Sequence, residues 1–79
     1  MKVLLFAGAR DAVGSESVDV ETDSPISVAK LKEKLSLQFP RLAKWVAVSR
    51  LALNNSFATD SDLVEQDTEV ALIPPVSGG

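Results

Sequence analysis

Continuous hydrophobic runs lie near both ends of this 79-residue chain. Residues 2–7 are Lys-Val-Leu-Leu-Phe-Ala, and residues 69–73 are Glu-Val-Ala-Leu-Ile. Short apolar runs that contain β-branched and aromatic side chains are typical of strands buried on both faces of a sheet. The pattern predicts two central strands, and Pro74 closes the second because proline cannot donate to a strand ladder.

Strict alternation of polar and apolar side chains follows in residues 16–21. This period of two predicts a half-buried strand with Val18 and Val20 facing inward. The preceding residues 8–14 are bounded by glycines and predict a turn segment, with room for one helical turn at residues 10–13. The first two strands are then expected to form an antiparallel hairpin with a long connection.

Helical spacing of apolar side chains begins after this hairpin and extends over residues 28–39. Lysines occupy the opposite face, as in a surface helix. Ser27 is a plausible N-cap because its hydroxyl can accept from a free N–H of the first turn. Pro40 ends the helix because proline disfavours helical geometry at the preceding residue. A second, short helix is indicated by three further apolar side chains, Leu42, Trp45 and Val46.

Short strands and polar turns make up the rest of the chain. Residues 51–53 and 57–58 are predicted to be strands joined by Asn54 and Asn55, which tolerate positive φ in a tight turn. Residues 60–67 are largely polar and predict a turn or a single helical turn.

The predicted order of elements is β-β-α-(α)-β-β-β. A single main helix buries its apolar stripe only if it covers one face of a mixed sheet, and the strands at the two ends are then expected to be central neighbours. Leu42 and Trp45 are expected to form a small satellite core beneath the crossover. The order predicts an α+β fold, the ubiquitin-like β-grasp, as one domain over residues 1–79 with a flexible tail at residues 75–79.

The alternation along the strands also predicts which side chains face away from the helix. If Val3 and Leu5 face the helix, Phe6 reaches the open face of the sheet. With Phe57 and Ile73 it would form an apolar patch, and exposed apolar patches mark interaction sites. In the alternatives, the chain's own loops cover this patch, or a register shift of one residue exchanges the two faces.

The net charge and the lengths of the apolar runs limit the classes of partner. The formal net charge is -3, which argues against nucleic acid or an anionic membrane as a partner. No apolar run approaches the roughly 20 residues that span a bilayer. The first apolar run is interrupted early by Arg10 and Asp11, so we interpret it as a strand of a cytoplasmic protein rather than a signal peptide.

The sequence contains neither cysteine nor histidine. This excludes disulfides, thiolate metal sites and the commonest general base, and leaves the serines without a partner to activate them. The acidic residues between 60 and 69 lack the spacing of a calcium loop, and residues 8–14 lack the pattern of a phosphate-binding loop. We therefore expect a chain that is not an enzyme alone and binds no metal or cofactor.

The end of the sequence offers a different chemical group. Glycine has no Cβ, so a Gly-Gly end can enter a channel too narrow for other residues, and two prolines favour an extended start. At about 3.1 Å per residue, residues 75–79 reach roughly 15 Å. A carboxylate so presented becomes an acyl donor once adenylated; a sulfur nucleophile then gives a thiocarboxylate and an amine gives an amide. The alternative is a frayed end without function. The six residues at this end of the sequence are Pro74, Pro75, Val76, Ser77, Gly78 and Gly79.

The chain resembles the MoaD family, the small sulfur-carrier subunits of molybdopterin synthase, over essentially its whole length, and three segments carry the resemblance. They are residues 2–7, Leu53-Asn54 and residues 69–79, and the last is similar to the family's closing signature almost residue for residue. The thiamine-pathway carrier and ubiquitin-related modifiers also end in Gly-Gly but usually lack the double proline. Two turns depart from the family pattern: Asn55 replaces a usual glycine, and residues 67–68 are Asp-Thr in a slightly longer loop.

The resemblance implies a sulfur carrier of molybdenum cofactor biosynthesis. An E1-like enzyme would adenylate the carboxylate of Gly79 with ATP, and a sulfur donor protein would convert it to a thiocarboxylate. The tail would then enter the large, catalytic subunit, where sulfur passes to cyclic pyranopterin monophosphate. In the family, two small and two large subunits form a heterotetramer.

The resemblance also implies roles for particular residues. Gly79 would carry the sulfur with Gly78 as its slim neighbour, and Phe6, Phe57 and Ile73 fall at hydrophobic partner-contact positions of the family. A carrier for another pathway, such as thiamine or cysteine synthesis, remains an alternative, as do a ubiquitin-like modifier joined to target lysines and a plain binding module. Four further tail residues would contact the partner: Pro74, Pro75, Val76 and Ser77.

Overall fold

A computed structural model describes residues 1–75 of the chain. The strands are β1 (Lys2–Leu5), β2 (Ser17–Asp19), β3 (Ile26–Ser27), β4 (Arg50–Leu53), β5 (Ser56–Phe57), β6 (Leu63–Val64) and β7 (Val70–Ile73). The helices are α1 (Ala7–Val13), α2 (Val28–Gln38) and α3 (Ala43–Val48), with a 3₁₀ helix at Pro40–Leu42.

Five strands form the main sheet in the order β2-β1-β7-β4-β5. The strands β1 and β7 are parallel, with Val3 opposite Val70, whereas the β1–β2, β4–β7 and β4–β5 pairs are antiparallel. The predicted hairpin of the first two strands and the central pairing of the end strands are therefore confirmed.

The helix α2 covers one face of this sheet, as predicted for a β-grasp. Its apolar stripe belongs to the same buried cluster as the inward side chains of β1 and β7. Burial of this kind stabilises the domain by about 25 cal/mol for each Å² of apolar surface removed from water. The members of this cluster from these three elements are Val3, Leu5, Val28, Leu31, Leu35, Val70 and Leu72.

Both ends of α2 follow the predicted signals. The Ser27 hydroxyl accepts a hydrogen bond from the Lys30 N–H at 3.2 Å, which satisfies one free donor of the first turn. The helix ends before Phe39, which is not helical, and Pro40 starts the 3₁₀ helix. The predicted satellite core is wrong, because the 3₁₀ helix folds Leu42 into the main core, where it is fully buried.

The helix α1 is longer than the single turn predicted at residues 10–13. It begins at Ala7, where the Phe6 carbonyl accepts from the first-turn N–H groups, and ends at Gly14, whose φ of 75° caps it. Alanine favours helix, and it outweighs the single glycine at position 8 in this segment. Fully buried Ala9 anchors the helix to the core.

The segment predicted as a turn at residues 60–67 has turns at residues 60–61 and 66–67, but between them lies a strand of a second small sheet. The strand β6 pairs antiparallel with β3, and Val64 opposes Ile26 inside the core. Two-residue strands are too short to show an alternating pattern, so residue periodicity cannot predict them. The carbonyls of Asp62 and Asp60 accept from the first N–H groups of α2, which ties this loop to the main helix.

Candidate functional site

Side-chain alternation along β1 and β7 turns out as predicted. Val3 and Leu5 are 0% and 2% exposed, whereas Phe6 at the end of β1 is 45% exposed. On β7, Val70 and Leu72 are buried towards the helix. The backbone of Phe6 is still extended, with φ of -131° and ψ of 156°, so the alternation places Phe6 as well as Ile73 on the open face of the sheet.

Phe6, Phe57 and Ile73 line one depression on this open face. Phe57 is 55% exposed, so two aromatic rings are presented to solvent beside each other. We call this depression the sheet patch. Its lining residues are Leu4, Phe6, Ala52, Asn55, Phe57, Glu69, Ala71 and Ile73.

The strand register explains the shape of the sheet patch. Leu4 opposes Ala71, Ala71 opposes Ala52, and Ala52 opposes Phe57, so these side chains form one row across four strands. Two small alanines in the middle of the row leave a hollow between the larger side chains. Sequence reasoning did not place Ala52 beside Leu4 and Ala71, because that requires the register between strands distant in sequence.

One edge of the sheet patch carries a fixed positive charge. The guanidinium of Arg50 lies 4.1 Å from the centroid of the Phe57 ring, a cation–π geometry. Arg50 also opposes Ile73 in the β4–β7 pair. The contact restrains the Phe57 ring and places a hydrogen-bond donor next to the end of β7.

The opposite edge is built by the β4–β5 turn. Asn54 and Asn55 have φ values of 50° and 69°, which confirms the predicted left-handed turn without the usual glycine. The Asn54 side chain accepts from the Glu69 N–H at 2.9 Å, which holds the turn against β7. The turn thereby directs Phe57 back over the sheet.

The chain leaves the sheet beside the patch. Ile73 is the last residue of β7, Pro74 is buried and Pro75 is exposed. Four predicted site residues, Val76, Ser77, Gly78 and Gly79, lie outside the described residues. The roles of these four residues stay predictions. The other predicted contact residues, Phe6, Phe57 and Ile73, line the sheet patch.

The acidic loop has structural contacts. Asp60 lies 3.5 Å from the Lys32 ammonium, and the Asp62 carboxylate accepts from the Thr59 N–H at 2.8 Å. Within residues 1–75, no group of three or more His, Cys, Asp or Glu side chains is placed to hold a metal ion. In the same part of the chain, no helix is long and apolar enough to cross a membrane.

The fold and the sheet patch define a ubiquitin-like β-grasp protein. The crystal structure of SAMP1 from Haloferax volcanii matches 100% of this chain and 98% of its own at a TM-score of 0.85 and 29% identity. The complex of subunits 1 and 2 of molybdopterin-converting factor from Helicobacter pylori shares the fold at 22% identity. That match has a TM-score of 0.69 and covers 99% of this chain and 96% of the other.

The family follows from the sequence comparisons. The model of the ThiS family matches residues 3–79, and this chain belongs to that family. The molybdopterin synthase sulfur carrier subunit of Arabidopsis thaliana is 40% identical over 79 residues, which cover 100% of this chain and 82% of the relative. The resemblance inferred from the three sequence segments is therefore confirmed over the full length.

Proposed function

We propose that this chain is the sulfur carrier subunit of a molybdopterin synthase. One observation carries the proposal: an apolar patch lies at the end of β7, and the segment that follows this strand ends in Gly-Gly. A patch beside the tail gives a partner a surface to bind while the tail reaches its active site. The full-length relationship to a carrier subunit supports the same role.

The proposed chemistry takes place at Gly79. Attack of its carboxylate on ATP forms an acyl adenylate and releases pyrophosphate. A sulfur nucleophile at the oxidation level of sulfide then displaces AMP and leaves a thiocarboxylate. Transfer of that sulfur to cyclic pyranopterin monophosphate, with uptake of the oxygen of water, restores the carboxylate.

Other proteins supply what this chain lacks. The sequence has no histidine or cysteine to activate a nucleophile, so an E1-like enzyme would bind the ATP and a donor protein would deliver the sulfur. The large, catalytic subunit would bind the sheet patch through Phe6, Phe57 and Ile73. Pro74 and Pro75 would direct the last four residues into that subunit, and Gly78 and Gly79 would fit its narrow channel.

Intact-mass spectrometry of the chain tests the proposal. The chain is incubated with ATP, its activating enzyme and a sulfur source, and we expect a mass gain that matches one oxygen-to-sulfur exchange. Addition of the large subunit and cyclic pyranopterin monophosphate should remove the gain and produce molybdopterin. A chain that lacks Gly79 is the control and should gain nothing.

The outcomes separate the pathways. A mass gain that persists with the large subunit and precursor would assign the carrier to another pathway, such as thiamine or cysteine synthesis. Absence of any gain, with an activating enzyme that is competent on a known carrier, would refute the sulfur-carrier role.

A second candidate is a protein modifier. A second H. volcanii structure similar to this chain, at 26% identity and a TM-score of 0.83, is that of small archaeal modifier protein 1. In this role the activated Gly79 would form an isopeptide bond with a lysine of a target protein. A ladder of conjugates in cell lysate that requires Gly79 would favour the modifier, and its absence would favour the sulfur carrier.

A further inference from the structure

The indole of Trp45 lies against the backbone of Gly8, the second residue of α1. A Cβ atom built at Gly8 would overlap the six-membered ring of the indole and would lie 2.7 Å from its Cζ3 atom. Trp45 reaches this position from α3, where it is half-buried and packs against the core. The ring therefore closes on α1 at a point where only glycine fits.

The helix α1 in turn holds Phe6. The Phe6 carbonyl accepts hydrogen bonds from the N–H groups of Ala9 and Arg10 at 3.2 and 3.4 Å. The last paired residue of β1 is Leu5, opposite Leu72, so Phe6 lies one residue beyond the strand ladder. Its extended backbone continues the alternation of β1, but without a ladder partner it is held in place by the first turn of α1.

Between Phe6 and Gly8 the backbone is strained. Ala7 has a φ of 51°, in the left-handed region that is unfavourable for a residue with a Cβ. Such a conformation persists only where the surrounding contacts enforce it, and it is often found beside binding sites. The contacts at hand are the buried side chain of Ala9 and the indole over Gly8.

We infer that Trp45 is a positioning residue for Phe6. By clamping the first turn of α1, it keeps Ala7 in its strained conformation and Phe6 in the sheet patch before a partner arrives. The identity of that partner, the large subunit, rests on the proposed function. A partner that binds only this arrangement is bound more weakly in proportion to the fraction of chains that lose it.

Hydrogen exchange in the free chain tests the clamp without any partner. In Trp45→Leu, exchange at the Ala9 and Arg10 amides should accelerate at least about tenfold, as expected for local opening of α1. The Leu5 amide, which donates to the Glu16 carbonyl at 2.8 Å, is the internal reference and should stay unchanged. Trp45→Phe keeps an aromatic ring over Gly8, so exchange at the Ala9 and Arg10 amides should stay as slow as in the unmodified chain. Gly8→Ala, which retains the indole but adds a Cβ, should imitate the leucine variant.

Calorimetric titration with the large subunit tests the consequence for binding. Trp45→Leu should weaken the affinity about tenfold when Phe6 is present, and by less than about twofold in a Phe6→Ala background, because coupled residues are not additive. Val28→Ala is the control for lost stability. It removes buried volume in α2, away from α1, and should leave the affinity unchanged.

The two proposals fail in different ways. Protection of Ala9 and Arg10 that is unaffected by Trp45→Leu and Gly8→Ala would overturn the positioning role, whatever the partner is. An equal loss of affinity in both Phe6 backgrounds would overturn it as well. A different outcome is that Trp45→Leu opens α1 as expected but Phe6→Ala leaves the affinity for the large subunit unchanged. That result would refute the binding surface assigned under the proposed function.

Discussion

At the scale of single residues, position on the sheet decides which apolar side chains are available for binding. Val3 and Leu5 are buried under α2, and Phe6, next to them in sequence, is on the opposite face. Alternation in a strand is a geometric rule, so this assignment followed from the sequence alone. The full lining of the sheet patch did not, because Ala52 meets Ala71 only through the pairing of β4 with β7.

Replacing Phe6 by aspartate should weaken binding of the large subunit by tenfold or more. The change removes an aromatic anchor and places a carboxylate in an apolar contact, a combination that costs about 2 kcal/mol or more at an interface centre. Isothermal titration calorimetry measures the loss.

Leu63→Asp is the matched control for Phe6→Asp. Leu63 is 61% exposed on β6 and does not line the sheet patch, so its affinity for the large subunit should equal that of the unmodified chain. Equal affinities of both variants would show that the patch is not the binding surface.

Asn55 provides a prediction on stability. With φ at 69°, an alanine here has a Cβ but lacks the local polar contacts that help asparagine in left-handed geometry. Asn55→Ala should lower the free energy of unfolding by about 1 kcal/mol, whereas Asn55→Gly should preserve or raise it. Urea denaturation of the two variants gives the comparison, and an alanine variant as stable as the glycine variant would contradict the turn geometry.

At the scale of elements, the residues that begin and end a helix were more informative than the composition of the segment between them. Ser27 and Pro40 located both ends of α2, since a cap and a proline act locally. The helix α1 was underestimated because its glycines suggested a turn, and its stability comes from tertiary contacts of Ala9 and Gly8 with distant residues. The strands β3 and β6 depend entirely on each other, so neither has a signal of its own.

Two identical substitutions in and beside α2 should have opposite effects. Ser27→Ala removes the hydrogen bond to the Lys30 N–H and should cost about 1 kcal/mol of stability. Ser36→Ala lies in the helix interior, where alanine is the better helix former, and should gain a few tenths of a kcal/mol. Thermal unfolding of both variants by circular dichroism is the measurement, and equal melting temperatures would contradict the capping role.

At the scale of the whole molecule, a domain of this size has little stability to spare. At about 0.05–0.15 kcal/mol per residue, a chain of this length is stable by roughly 4–12 kcal/mol. One buried cluster includes side chains of the main sheet, of β3 and β6, and of all three α-helices. A single large cavity in that cluster therefore threatens the entire fold.

Leu31→Ala should remove a large part of the domain's stability. Leu31 is a fully buried residue of α2, and removal of such a side chain costs about 2–5 kcal/mol. Leu37→Ala, in the same helix but 74% exposed, should change stability by less than about 0.5 kcal/mol. Denaturant midpoints distinguish the two, and a similar loss in both would show that α2 faces the sheet differently.

The pairing of β1 with β7 also governs when the domain can fold. The strand β1 pairs with β7, which follows it by more than 60 residues, so a nascent chain has no complete sheet until β7 has left the ribosome. Until then, the apolar edge of β1 is open to chaperones and to aggregation. A chain cut short before β7 lacks the strand that joins β1 to β4, so co-translational folding of this sheet waits for residues 70–73.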